Sequence, residues 1–143
     1  MRYVERVIGE VETWENITKS AHRFGGTQFN LGKTEIGHIH SNGVVDIPLP
    51  KRIKDVLIRE RKVSTHHYLL HSGWTSFYIK LESDVDSALR LLKFSYLLKI
   101  KDQETLKTRL PWVLNEINNL ELSPDLEGII KEELNKKLSN EST

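Results

Sequence analysis

Cysteine is absent from the 143 residues. Disulfides, thiolate zinc sites, iron–sulfur clusters and cysteine nucleophiles are therefore excluded. No apolar run approaches the roughly 20 residues of a membrane-spanning helix. Neither sign of charge dominates: 21 Lys and Arg against 20 Asp and Glu leave +1, so no overall field is available to hold a polyanion. The segment Met1-Arg2-Tyr3-Val4-Glu5 lacks an apolar signal core, and the expectation is a cytoplasmic protein. A nucleotide P-loop and a Gly-x-Ser-x-Gly nucleophile elbow are both missing. What is present is 38% hydrophobic and 29% charged residues. That suits one globular domain with a small appendage.

The chain opens on an amphipathic segment. Val4, Val7, Ile8, Val11 and Trp14 share one helical face. Asn16 to Ser20 is polar and reads as a linker. Residues 21–81 then lose the helical period. Thr27–Leu31, Thr34–His40 and Val44–Leu49 alternate, with turn signals at Gly32-Lys33 and Ser41-Asn42-Gly43 between them. Pro50 suits the start of a helix reaching about Arg61. Val63–Leu70 and Trp74–Leu81 read as two further strands. Ser83 with Asp86 matches a capping box opening a helix to about Ile100, apolar over much of its surface. Beyond Asp102, two helical stretches follow. Pro111 is expected to start or kink the first, and Ser123-Pro124 to cap the second. The expectation is an α+β fold: an antiparallel sheet of about five strands with helices on one face. Residues 1–101 would form that domain. Residues 102–143 would be a helical extension packed on it or on a partner.

All six histidines fall between His22 and His71, and the long helices have none. Glu35-Ile36-Gly37-His38-Ile39-His40 is the sharpest segment. On a strand, His38 and His40 point to one face, about 7 Å apart along the chain. Such a pair can share a metal ion, with further ligands from His22, Asp46, His66 or His67; zinc, iron, nickel or copper would suit. The spacing alone does not establish a metal, and a polar pocket without one is the preferred reading. Glu35 points the other way on an ideal strand, unless a bulge near Gly37 rotates it. Asp46 lies in an apolar strand and must be paired or solvated; either His38 or His40 is within its reach across the Asn42-Gly43 turn. The His22-to-Thr27 loop, with Gly25-Gly26, offers N–H groups to an anion or merely shapes a turn. Arg23 beside it can hold a carboxylate. His66 and His67 face opposite ways, so one of them at most joins the sheet-face site. Trp74 packs in the core or walls a planar ligand. The basic stretch Lys51 to Lys62 reads as a solvated helix face, which leaves nucleic acid as a minor alternative.

Several of these segments together resemble the luciferase-like domain family, to which fungal luciferase is similar. They are His22-Arg23-Phe24-Gly25-Gly26-Thr27, Glu35 to His40, Val45-Asp46-Ile47-Pro48, His66-His67, Ser72-Gly73-Trp74-Thr75-Ser76-Phe77 and the helix Ala88 to Tyr96. The resemblance spans roughly Ala21 to Leu98. It implies an α+β fold and, for the fungal luciferases, oxygenation of a hispidin-type luciferin by O₂. It carries Glu35, His38, His40, a histidine at His66-His67, and Trp74 over as site residues. Fold kinship alone does not transfer activity.

The resulting expectation is a small-molecule site. Glu35, His38, His40 and His67 form its catalytic set. Arg23, Asp46, Trp74 and His22 line the substrate, a phenol or enol deprotonated by a histidine before it meets O₂. Two alternatives stay open. One is a non-catalytic scaffold forming a homodimer through the C-terminal helices. The other is nucleic-acid binding through the basic helix. Whether the chain is an enzyme, and which cofactor it uses, are left undecided at this level.

Overall fold

Short alternating segments joined by tight turns pair with their neighbours, and the chain begins as a meander. The computed structural model describes residues 2–22, 25–65, 72–100 and 103–139. Among them, α1 (Arg2–Val11) leads into β1 (Ile17–Ala21), β2 (Thr27–Leu31), β3 (Thr34–Ile39) and β4 (Val44–Pro48). Helix α2 (Lys51–Arg59) follows, then β5 (Ser64–Thr65) and β6 (Trp74–Tyr78). Three helices complete the chain: α3 (Ser83–Leu98), α4 (Gln103–Asn119) and α5 (Pro124–Ser139). The sheet order is β1-β2-β3-β4-β6-β5, and every neighbouring pair is antiparallel.

The fold is the expected α+β class, with six strands rather than about five. The additional strand is β1, in the segment expected to be a linker. All its residues except Ile17 are exposed, so it carries no burial alternation to read. Lys19 on it pairs with Glu12 at 2.8 Å, and a charged side chain on an edge strand discourages pairing with other chains. Of the expected strand Val63–Leu70, β5 covers Ser64–Thr65 and the remainder lies outside the described residues.

One face of the sheet carries the core. Phe29, Ile36, Ile39, Val45 and Ile47 are fully buried, as are Ala88 and Leu92 of α3, which crosses β3 and β4. Helix α1 stops at Val11, short of the expected Trp14. The tryptophan still packs on α3, with its ring 5.6 Å from Tyr96 and the Lys93 ammonium 4.6 Å from its centre. The start of α3 also differs from expectation. Helix geometry begins at Ser83, so the Ser83–Asp86 capping box does not form. Instead the Asp84 carboxylate accepts the Lys80 and Leu81 N–H groups at 2.8 and 2.9 Å. These bonds hold its carboxyl below the ordinary carboxylate value.

The C-terminal helices bury their apolar stripes within the chain. Val113, Ile117, Leu126, Ile130 and Leu134 join the same buried cluster as α3. Pro111 lies inside α4 rather than at its start. Ser123 caps α5 as expected, its Oγ accepting the Leu126 N–H at 3.3 Å. Helix α5 packs on α2, where Arg52 meets Glu132 at 2.8 Å and Arg59 meets Asp125 at 3.3 Å. Lys54, on the same basic helix, is buried with its ammonium on the Ser72 carbonyl. Lys54 is thus engaged in the interior, while Arg52 and Arg59 pair with α5 at the surface. Among the described residues, no helix is long and apolar enough to cross a membrane.

Strand β3 is irregular where it matters. Phe29 stands opposite Gly37 and Asn30 opposite Glu35, so Ile36 is an extra residue with no partner on β2. This bulge is built around Gly37, at φ +155°. A Cβ there would lie 2.7 Å from Leu92 Cδ2 and 3.0 Å from the Asp46 carbonyl oxygen. Both the backbone angle and the packing of α3 against the strand therefore require glycine. Gly37→Ala should destabilise the protein by about 1–3 kcal/mol through overpacking and backbone strain. Urea unfolding checks this: the midpoint should fall with the slope unchanged.

Candidate functional site

The face of the sheet opposite the helices carries a row of polar side chains in register. Ser20 pairs with Gln28, Gln28 with His38, His38 with Asp46, Asp46 with Ser76, and Ser76 with Ser64. The row therefore crosses all six strands. Its centre is closed off from solvent: Ser76 is fully buried, Asp46 is 1% exposed and His38 5%.

Asp46 is the hub. Its Oδ2 accepts hydrogen bonds from His38 Nε2 at 3.0 Å and His40 Nε2 at 2.8 Å. Its Oδ1 accepts from the Ser76 hydroxyl at 2.6 Å. Burial works against the charged carboxyl, but the bonds from His38, Ser76 and His40 outweigh it, and its pKa lies well below the usual carboxylate range. The question of which histidine Asp46 meets is thereby answered: both.

Glu35 reaches the same face because of the bulge. The extra residue restores its phase, and its Oε2 lies 2.6 Å from His38 Nδ1. Both ring nitrogens of His38 thus face carboxylate oxygens, and a ring that donates from both is an imidazolium. Burial would lower its pKa from 6.5, but bonds to Asp46 and Glu35 overcome that and push it up to about 9. The two carboxylates thus favour the protonated form of this ring. His40 is different. It is partly exposed and donates from Nε2 to the Asp46 carboxylate, so in its neutral form Nδ1 keeps a lone pair.

His22 completes an aromatic wall. Its ring stacks on His38 with centres 3.8 Å apart and planes 21° from parallel. Trp74 stands 5.3 Å from His38 on another side. Burial, then the adjacent His38 charge, lower the His22 pKa. The hairpin that positions His22 uses its own N–H groups: His22 N–H bonds the Gly26 carbonyl and Gly25 N–H bonds the His22 carbonyl. Those two groups are spent on the turn, as the plain turn reading holds, rather than aimed at an anion. Gly26 lies so close to β3 that a Cβ would meet the Ile39 carbonyl oxygen at 2.3 Å.

The structure thus brings together six of the eight expected residues: Glu35, His38, His40, Asp46, His22 and Trp74. Arg23 and His67 lie outside the described residues. Ser76 belongs to the site and was not among the expected residues. Its signal was available, since it shares Trp74's side of its strand and a buried carboxylate needs a donor. His38, His40 and Asp46 also offer one ligand-type atom each, all within 4.8 Å of one another.

Residues 33–95 match the family model described as Luciferase domain. This segment belongs to the luciferase-like domain family. The match runs from the turn before β3 into α3 and contains Glu35, His38, His40, Asp46, Trp74 and Ser76. His22 and the two C-terminal helices fall outside it. No curated protein and no solved structure matches the chain.

The network of the luciferase-like domain makes stability depend on pH in a definite direction. His38 has a folded-state pKa raised above 6.5 to about 9. Its contribution is complete below the unfolded value and is lost as pH rises through the folded one. Asp46, with a lowered pKa, contributes above the unfolded carboxylate value and loses this as pH falls further. In chelator-treated protein, stability should therefore decline between about pH 6.5 and pH 9, by on the order of 3 kcal/mol. Urea midpoints across that range test this, and His38→Gln should flatten the slope.

Proposed function

We propose that the luciferase-like domain carries a small-molecule site of oxygenase type on the polar face of its sheet, acting on a phenolic or enolic substrate. The observation that supports this best is the pairing of two unlike features. A buried carboxylate–histidine network lies beside an aromatic wall of His22, His38 and Trp74, with ring centres 3.8 and 5.3 Å from that of His38. A planar ligand suits the wall, and an acidic hydroxyl suits the network.

His40 is the proton acceptor in this reading. Its Nε2–H on Asp46 fixes the tautomer and leaves the Nδ1 lone pair to take the proton. Proton transfer from the substrate to Nδ1 leaves an enolate beside the His40 imidazolium, whose charge balances it. The enolate carbon then bonds to O₂, which is reduced to the peroxide level. The His40 proton returns to the peroxide oxygen. In sum R–H and O₂ give R–OOH, with no external reductant.

Engagement of α2 by α5 and burial of the apolar stripes of α4 and α5 weigh against the nucleic-acid and helix-mediated dimer readings. The test is O₂ uptake over a panel of phenolic and enolic compounds. His40→Ala should lower kcat by about 100-fold or more, the usual worth of a general base, and should also lower the melting temperature, because it takes one donor away from the buried Asp46 carboxylate; circular dichroism checks that the variant is folded. Trp74→Ala should raise KM by about tenfold, the scale of a lost aromatic contact. Turnover that survives His40→Ala intact removes the assignment.

A further inference from the structure

We infer that His38, His40 and Asp46 form a binding site for a divalent first-row transition-metal ion, with Glu35 and Ser76 orienting its ligands. The inference rests on the reading that this face is the reactive site, and it names the cofactor that site would take.

Four observations carry it. The first is convergence. His38 Nε2 and His40 Nε2 both point at one oxygen, Asp46 Oδ2, at 3.0 and 2.8 Å. Ligand bonds of about 2.1 Å place neighbouring donor atoms about 3.0 to 3.4 Å apart. Each histidine nitrogen thus needs to move from Asp46 Oδ2 by only tenths of an ångström, and all three ligand-type atoms already lie within 4.8 Å of one another. The second is charge. Two carboxylates, Glu35 and Asp46, flank two imidazoles in a largely buried cluster. With neutral rings the cluster carries two negative charges, which one divalent ion balances.

The third observation is the outer shell. Glu35 lies 2.6 Å from His38 Nδ1. A carboxylate there fixes the Nδ1–H tautomer and leaves Nε2 for a metal, as ligating histidines commonly require. Ser76 occupies Asp46 Oδ1 at 2.6 Å and leaves Oδ2 as the ligand atom. The fourth is rigidity. All three ligands stand on or at the end of paired central strands, His38 directly opposite Asp46. Strand-borne ligands are held more closely than ligands on loops.

Two imidazoles and one carboxylate form a mixed nitrogen and oxygen set that leaves coordination positions open. His40 has 24% of its side chain exposed, so those positions have a route to solvent or substrate. An ion here would acidify a coordinated enol, and His40 would then serve as its ligand through Nε2 rather than as the sole driver of deprotonation.

The experiment uses the full chain, stripped with chelator and passed through a desalting column. Calorimetric titration with Zn²⁺ and with Co²⁺ should give one ion per chain, with a Kd of about 1 μM or tighter. Co²⁺ should add visible absorption bands on binding. Glu35→Gln should weaken binding by about 10- to 100-fold, the usual worth of an outer-shell partner, and His40→Ala by more than that. Circular dichroism and melting accompany each variant. If Asp46→Asn fails to fold, His40→Ala decides the matter. Absence of saturable binding, or binding unchanged in His40→Ala, overturns the site. O₂ uptake is read in parallel on stripped and reloaded protein. Binding without uptake keeps the metal site and removes the oxygenase reading. Uptake by stripped protein that binds no metal does the reverse.

Discussion

A carboxylate buried in the middle of a sheet is the constraint around which the molecule is arranged. Desolvating one such charge costs several kcal/mol. At Asp46 that cost is met by three donors, each a charge-assisted bond worth about 1.5–3 kcal/mol. His38 must then be held in turn, which Glu35 does, and Glu35 reaches it only through the bulge at Ile36. The bulge needs Gly37, and Gly37 is pressed by Leu92 of α3. A chain of dependence runs from one buried charge to the packing of a helix on the other side of the sheet.

That division of the sheet into two faces separates two jobs. The helical face supplies the stability, through a single apolar cluster that takes in α1, α3 and the two C-terminal helices. The other face carries the candidate site, with polar side chains in an unbroken row. The family match covers β3, β4, β6 and most of α3, and leaves out His22, β1, β2 and the C-terminal helix pair. Those helices therefore support the luciferase-like domain from the side remote from its candidate chemistry.

Much of this was legible in the residues. His38-x-His40 on an alternating strand placed both rings on one face, and the Asn42-Gly43 turn brought Asp46 opposite them. The bulge was foreseen as the condition for Glu35 to join, because no regular strand puts residues three apart on one side. What escaped were features without a pattern. Strand β1 is polar on both faces, so nothing distinguished it from a linker. Asp84, inside the first turn of α3, reaches back to the Lys80 and Leu81 N–H groups ahead of the helix, an arrangement that a capping-box pattern does not examine. The protonation of His38 depends on two carboxylates approaching from different directions, and sequence spacing shows one direction at a time.

The in-register row has a consequence for how the sheet finds its alignment. A strand that slips by one residue turns its whole inner set outward. Here such a slip would also carry Gln28, His38, Asp46 or Ser76 into the apolar layer beneath α3. A slip by two residues keeps the faces but would leave the buried carboxylate without its matched donors. The residues that make the site thus serve as alignment marks for the strands that hold them. Their replacement is felt as ambiguity in pairing as well as a change in chemistry. Strand alignment and the candidate site thus rest on the same few positions.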